Sequence, residues 1–354
     1  MDHRIITMLR CPFSRQDLDL QVIKESTRNF NGNEIRVIEE GILVSSDWLY
    51  PIVNGIPRLC VESFLDYDLF LRTHVDDYEF RKKKLFELHG DLIKKTLQKN
   101  KRTKQSFDAE WNLYDIEKDN TWDAGGADLV TRFLKETDES LSTIKQKIIF
   151  DAGCGNGKLN CLLANEGIVN FAMDFSNSIE KAYRYNTSEN VHFIQGDVQY
   201  PPFAQGIFDI VHCSGVLIHT KNTELSFSCL TPFVKKKGKL SVWLYHPRKD
   251  LIHNTLNKVR SVTSKLPFKL QYYIYLFSLY PLSFVIKKLK GNRQNKREMM
   301  IDILDWFSPQ YRWEHTHSEA YSWFAERGFG NIKVTTENIF GFNIIGEKEI
   351  DNIK

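Results

Sequence analysis

The sequence predicts an α/β fold: a doubly wound, mostly parallel sheet of seven strands, with a small β-rich module in front and a helical insertion after the fifth strand. Three observations predict it. Short apolar runs alternate with helix-forming stretches from Lys147 to about Tyr245, a glycine-rich turn follows the first of those runs, and a long aromatic stretch separates the fifth run from the last two.

Composition sets the frame. The 354 residues are 42% hydrophobic and 26% charged, ordinary for a globular protein, and the length suits one domain of about 200 residues with appended modules. A net charge of +3 gives little argument for nucleic acid. Six cysteines (Cys11, Cys60, Cys154, Cys161, Cys213, Cys229) without dense spacing suit a reducing compartment. Residues 1–20 alternate charge with apolar side chains and lack the apolar core of a secretory signal, so a cytoplasmic location is expected, with peripheral membrane attachment left open.

Residues 1–62 read as short strands and turns, ending in Tyr50-Pro51-Ile52-Val53-Asn54-Gly55-Ile56-Pro57. Residues 63–146 are polar and helix-favouring, with basic stretches at 81–84 and 94–104 that read as solvated helix faces. Residues 147–245 hold five apolar runs, at 148–150, 169–173, 191–194, 207–212 and 239–244, each the length of a buried strand. Residues 246–329 interrupt the sheet, and 330–354 supply the last two strands, near 332–336 and 340–345. The insertion stands beside the carboxyl edge of the sheet, where ligands bind in open α/β folds, and reads as a substrate lid.

The chemistry gathers at strand ends. Phe150-Asp151-Ala152-Gly153-Cys154-Gly155-Asn156-Gly157 follows the first strand and leads into a helix near Lys158, so its glycines allow a tight turn and a close backbone approach to a ligand. Asp174 closes the second strand, where a carboxylate can accept both hydroxyls of a ribose, with Phe175 placed to pack on a base. Asp197 and Val198 end the third strand, where a carboxylate and an amide can pair with adenine. The fourth strand runs into Ser214-Gly215-Val216-Leu217-Ile218-His219.

As an ordered set these segments resemble the class I S-adenosylmethionine-dependent methyltransferases, a Rossmann-like class, over residues 148–245. The resemblance implies that Asp151, Gly153, Gly155 and Gly157 surround the methionine part of the cofactor, Asp174 its ribose and Asp197 its adenine, with Cys154, Asn156 and Cys213 small neighbours on the turn and the fourth strand. Val234-Lys235-Lys236-Lys237-Gly238 stands where the class usually has Pro-Gly-Gly. The implied reaction is methyl transfer to a small-molecule, carbohydrate-linked or lipid-like acceptor at oxygen or nitrogen. An RNA or protein acceptor, and a catalytically silent cofactor-binding partner, remain alternative readings.

Phe107 and Trp111, in Ser106-Phe107-Asp108-Ala109-Glu110-Trp111, stand where an aromatic pair can close over the cofactor, or else anchor a helix. His219 is the candidate general base for a hydroxyl acceptor, with Tyr245, His246, His315 and His317 behind it. The apolar stretch 266–286 is flanked by Lys265, Lys269, Lys287, Lys288, Lys290, Arg293, Lys296 and Arg297, and it reads as a lid over an apolar pocket or as an interfacial segment within 265–297 touching anionic lipid.

Met8-Leu9-Arg10-Cys11-Pro12 and the run 50–59 resemble a small zinc-ribbon-like domain found alone as an activator subunit or fused ahead of some methyltransferases. Four thiolates hold the metal there; here Cys11 remains, Ser14 takes the second position, and 41–49 hold neither cysteine nor histidine. A metal-free module over 1–62 is expected.

Overall fold

The computed structural model describes residues 1–120, 126–248 and 250–349; the last residues of the expected 330–354 segment, and 121–125 within 63–146, lie outside the described residues. The strands are β1 (Asp19–Phe30), β2 (Asn33–Ser45), β3 (Trp48–Val53), β4 (Ile56–Leu59), β5 (Ile149–Ala152), β6 (Asn170–Asp174), β7 (Val191–Gly196), β8 (Phe208–Ser214), β9 (Val234–Tyr245), β10 (Phe329–Glu337) and β11 (Gly341–Lys348). They join one sheet in the order β1-β2-β3-β4-β7-β6-β5-β8-β9-β11-β10.

The expected count of seven is corrected to eleven. The front hairpins do not stand apart: β4 pairs in parallel with β7 through Arg58↔Gln195 and Leu59↔Gly196, so the front strands lengthen the sheet at that edge. Arg58 fastens the seam. Fully buried, its guanidinium donates to Glu180 Oε1 at 2.8 Å and to Gln195 Oε1 at 3.3 Å. An isolated bridge, Leu9↔Phe203, ties the chain start to the same region. Phe150, Phe171, Phe203 and Phe208 share one continuous apolar core with Leu9 and Cys11, which precede β1, and with Trp48 and Tyr50 of β3.

The central strands β4, β7, β6, β5, β8 and β9 run parallel, and helices between successive strands carry the chain across. All four residues of β5 are buried, which requires the uniformly apolar composition seen there apart from Asp151 at the strand's functional end. β10 and β11 close the other edge antiparallel to β9.

Two helical assemblies flank the carboxyl ends of these strands. The first is the helix Tyr78–Leu113, broken at His89, whose φ of −131° and ψ of 18° are not helical. The rings of Phe13 and Trp48 pack on His89 at that break, with centroids at 4.8 and 5.6 Å. The second comprises Leu251–Thr263, Phe268–Phe277, Leu279–Leu289 and Lys296–Phe307, all inserted after β9. Tyr275 holds this group together: its hydroxyl donates to Thr263 Oγ1 at 2.8 Å and lies 3.3 Å from the Phe307 carbonyl.

Candidate functional site

A pocket opens at the carboxyl ends of β5, β6, β7 and β8, and its walls include Phe107, Trp111, Asp151, Gly153, Cys154, Gly155, Asn156, Asp174, Phe175, Asp197, Val198 and His219. The turn after β5 is shaped by backbone bonds from Gly153 N and Cys154 N to the Met173 carbonyl, at 2.7 and 2.9 Å. Gly155 has a φ of +57°, and a Cβ there would stand 2.8 Å from the Trp111 ring, so the indole's approach to the turn depends on the missing side chain. Gly157 stands at the end of the same turn. It does not line the pocket; a Cβ there would meet Ala182 and Phe193 at 2.6 and 2.8 Å, which makes it a packing position between helix and sheet.

Asp174 ends β6 with its carboxylate turned to the same turn. Oδ2 accepts from Gly155 N at 2.8 Å, and Oδ1 accepts from Ser176 N and Oγ at 2.8 and 2.6 Å. Burial pushes its carboxyl up to about 6 against these three bonds. A carboxylate offers about four acceptor sites, so one remains for a ligand hydroxyl. Phe175 lines the pocket with Lys104 Nζ 5.4 Å above its ring.

Asp197, at the end of β7, is already engaged: Oδ2 accepts from Lys99 Nζ and Asn100 Nδ2, both at 3.2 Å, and Oδ1 from Gln199 N at 2.9 Å. Lys99 and Asn100 also line the pocket and were missed in the sequence. They arrive on the long helix, almost a hundred residues before Asp197, and one basic residue within a basic run carries no distinguishing signal.

Asp151 lines the pocket and sits in a buried ionic relay. Its Oδ1 lies 2.8 Å from His212 Nδ1 and its Oδ2 accepts from Asn160 Nδ2 at 3.0 Å. His212 Nε2 lies 2.9 Å from Glu136 Oε2, and Glu136 Oε1 lies 3.1 Å from Arg132 Nε. Burial alone would lower the imidazole, but the bonds to Asp151 and Glu136 overcome it and raise His212 to about 9. A neutral imidazole can donate through one nitrogen only, so bonds at both nitrogens to two carboxylates describe an imidazolium. His212 was missed as well. The signal was present: a histidine inside the otherwise apolar strand β8 needs buried partners.

Cys154 lines the pocket, and burial pushes its thiol well up, which leaves it protonated and unreactive. Cys213 is fully buried outside the pocket wall, donating to the Ala152 carbonyl at 2.9 Å. Asn156 accepts from Lys158 N at 2.9 Å and so opens the helix Lys158–Asn165.

His219 stands at the mouth in the short turn Leu217–His219. Its Nδ1 lies 2.9 Å from the Tyr311 carbonyl and so carries the proton; Nε2 is buried and, among the described residues, has no partner. Burial lowers the ring to about 4. Phe107 and Tyr245 contact it edge-on, with centroids at 5.8 and 6.1 Å. Tyr245 stands behind that wall rather than in it, its hydroxyl pushed well up by burial and donating to Asp305 Oδ2 at 3.4 Å. Asp305 does line the pocket, and burial pushes it up to about 7.

The remaining candidates lie away from the pocket wall. His315 packs against Trp323 at 4.8 Å, His317 packs against Phe342 at 4.2 Å with Glu337 Oε1 at 3.4 Å, and neither lines the pocket; both dock the helix His317–Glu326. His246 Nε2 bonds the Asn338 carbonyl at 3.0 Å and belongs to a turn.

In the front strands Cys11 is buried, with Tyr50 Oη at 3.4 Å and Ser14 N donating to its sulfur at 3.3 Å. Ser14 Oγ and Ser45 Oγ stand 3.4 Å apart beside it. Among the described residues no group of three or more His, Cys, Asp or Glu side chains is arranged to hold a metal.

Residues 150–242 match the family model of the methyltransferase domain. The ubiquinone biosynthesis O-methyltransferase of Coxiella burnetii (strain Dugway 5J108-111) is 28% identical over 105 residues, 29% of this chain and 45% of that protein; its counterpart from strain RSA 493 / Nine Mile phase I matches to the same extent. The chain thus spans just under half the length of these curated relatives. Among solved structures, the magnesium protoporphyrin IX methyltransferase ChlM from Synechocystis PCC 6803 with bound SAH is 16% identical, covering 72% of this chain and 100% of that one with a TM-score of 0.39. YcgJ from Bacillus subtilis is 14% identical, covering 59% and 98%, with a TM-score of 0.39. The segment 150–242 thus matches a methyltransferase domain.

Proposed function

We propose that the whole chain transfers a methyl group from S-adenosylmethionine to a small-molecule, carbohydrate-linked or lipid-like acceptor at oxygen or nitrogen. The observation that carries the reading is the convergence on one pocket of the turn 151–156, the strand-end carboxylates Asp174 and Asp197, and the aromatics Phe107, Trp111 and Phe175. This donor set fits a nucleoside with an amino-acid tail: Asp174 toward the ribose, Phe175 and Val198 toward the base, and Asp151 toward the cationic amino group. Asp197, committed to Lys99 and Asn100, would shape the base pocket with whatever acceptor capacity it retains.

When bound, the cofactor supplies an activated methyl group. The chain supplies alignment and a dry pocket, since in-line displacement depends mainly on holding the nucleophile in place. Phe107 and Trp111 exclude water from that side. For a hydroxyl acceptor, His219 offers the lone pair of Nε2, and the Tyr311 carbonyl holds the tautomer that leaves it free. The activity named for the curated relatives, O-methylation, agrees with an oxygen nucleophile.

The segment 63–146 would cover the cofactor, 246–329 would form the substrate lid, and 1–62 would be a degenerate zinc-ribbon-like module that has exchanged metal ligands for the apolar packing around Cys11 and Tyr50. Titration calorimetry with S-adenosylmethionine and S-adenosylhomocysteine, followed by transfer of labelled methyl groups to a panel of phenols, amines and sugars, tests the reading. Absence of binding heat for both cofactor forms would remove it.

A further inference from the structure

The helices inserted after β9 turn apolar side chains outward. Leu279–Leu289 has no buried residue, and Leu282, Val285, Ile286 and Leu289 are 60, 54, 44 and 83% exposed at the i, i+3, i+4, i+7 spacing of one helix face. In Phe268–Phe277 the same holds for Leu270, Tyr273 and Phe277, and in Leu251–Thr263 for Ile252, Val259 and Val262. Each stripe is what an amphipathic helix normally buries, and three adjoining helices leave theirs in the open.

Charge says what covers them. From residue 251 to 297 the sequence has ten Lys and Arg and none of the chain's 45 Asp and Glu, although the whole chain is only +3. A second copy of this chain would bring the same positive charge against itself. Lys287 and Arg297 are paired with Asp302 and Asp119 and Arg260 turns inward to the Pro309 carbonyl, but an anionic surface would be attracted by the rest, and the long stems of Lys265, Lys269 and Lys290 let their ammonium groups reach it while the neighbouring apolar side chains sink below. Among the described residues no helix is long and apolar enough to cross a membrane, so these helices would lie in the interface plane.

We propose that the exposed face of Leu251–Thr263, Phe268–Phe277 and Leu279–Leu289 docks on an anionic lipid bilayer. Tyr275 joins this layer to the helix Lys296–Phe307, whose Asp305 lines the pocket, so docking sets the pocket one helix layer from the lipid. If the methyl-transfer reading holds, the acceptor reaches the pocket from the bilayer; the docking itself does not depend on it.

The test is co-sedimentation of the full chain with vesicles of phosphatidylcholine alone or of equal parts phosphatidylcholine and phosphatidylglycerol. The chain should sediment with the mixed vesicles, less so as salt rises, and stay in solution with the neutral ones. Phe277→Asp and Leu289→Asp, both at exposed positions, should each weaken partitioning about tenfold or more, and Lys269→Ala and Lys290→Ala about fivefold each. Unchanged circular dichroism and cofactor affinity would show that the variants are folded. Three results would overturn the proposal: no sedimentation with mixed vesicles, equal sedimentation with both kinds, or apolar variants that bind as wild type, which would mean adsorption by charge alone. Loss of cofactor binding heat in the wild type would instead strike the methyl-transfer reading and leave this one standing.

Discussion

Replacing His212 with glutamine removes the cation from between two buried carboxylates and should cost the fold a large part of its stability in a pH-dependent way. In the native protein the imidazolium, 4% exposed, lies 2.8 Å from Asp151 and 2.9 Å from Glu136, which are themselves 6 and 2% exposed. Its pKa is raised from 6.5 to about 9. A folded-state value above the unfolded one means that the stabilisation is complete below the unfolded value and is lost as pH climbs through the folded one. The window therefore runs from about 6.5 to about 9, and the loss across it is roughly 3 kcal/mol, since each tenfold gain in proton affinity is worth about 1.36 kcal/mol. At neutral pH, His212→Gln leaves two carboxylates facing each other with one amide to share, a change that costs about 3–5 kcal/mol in buried pairs.

Urea unfolding of wild type and variant at a series of pH values across that window separates the contribution of His212 and the carboxylates bonded to it from the titrating groups elsewhere, which are common to both proteins. The gap between the two curves should be widest at the acid end and should close by most of its pH-dependent part at the alkaline end. Parallel curves would refute the reasoning: His212 would then be neutral in the native protein, and the proton would reside on Glu136 or Asp151. The relay also has a functional readout, since Asp151 lines the pocket. The variant should weaken S-adenosylhomocysteine, which has the cationic amino group, more than 5′-methylthioadenosine, which lacks it.

Asp174→Ala should weaken cofactor binding by about tenfold or more, because a hydrogen bond to a charged group contributes roughly 1.5–3 kcal/mol and the Gly155 amide loses its acceptor as well; calorimetry checks it, and unchanged affinity removes Asp174 from the ribose site. Protein purified without chelator should hold no stoichiometric zinc by elemental analysis, since Cys11 has Tyr50 and Ser14 rather than thiolates beside it. With a hydroxyl acceptor, His219→Ala should lower kcat about 10²-fold and leave cofactor affinity unchanged. Because burial holds His219 down to about 4, its base form persists throughout the neutral range, so the wild-type rate should show no acid limb from this residue above that value; an inflection near 6.5 would mean that the ring is solvated and its role misassigned.

The central strands were legible because burial on both faces demands a mostly apolar run, and β5 to β9 each carry one, broken only at single residues such as His212 or, in β9, at its start. β1 and β2 were not, because β1 is exposed or half-exposed along nearly its whole length, the first half of β2 is much the same, and charged residues interrupt both, as in Val22-Ile23-Lys24-Glu25. Strands of 12 and 13 residues therefore read as several short pieces. Their junction with the main sheet was hidden for another reason. It rests on two residue pairs and on Arg58, a residue type whose burial depends wholly on partners from distant sequence. In the site, strand-end acids were legible from position alone. Lys99 and Asn100, the partners of Asp197, and Glu136, which meets Asp151 only through His212, stand on helices, where one charged or polar residue among many carries no periodic mark.

Those partners make the front strands part of the site rather than an appendage to it. Asn100 Nδ2 donates both to Asp197 Oδ2 and to Glu62 Oε1, at 3.2 and 3.1 Å, so the residue that ends the front segment and the one that ends β7 share a single amide. Lys104, one turn on, reaches Asp66 at 2.5 Å and stands over Phe175. Trp111, two turns further, closes on Gly155. The helix that brings all three is held at its break by Phe13 and Trp48 packed on His89. One wall of the pocket is thus positioned by packing that begins in the first fifty residues, and the front strands can serve the site through this helix provided their core stays closed around Trp48, Tyr50 and Cys11.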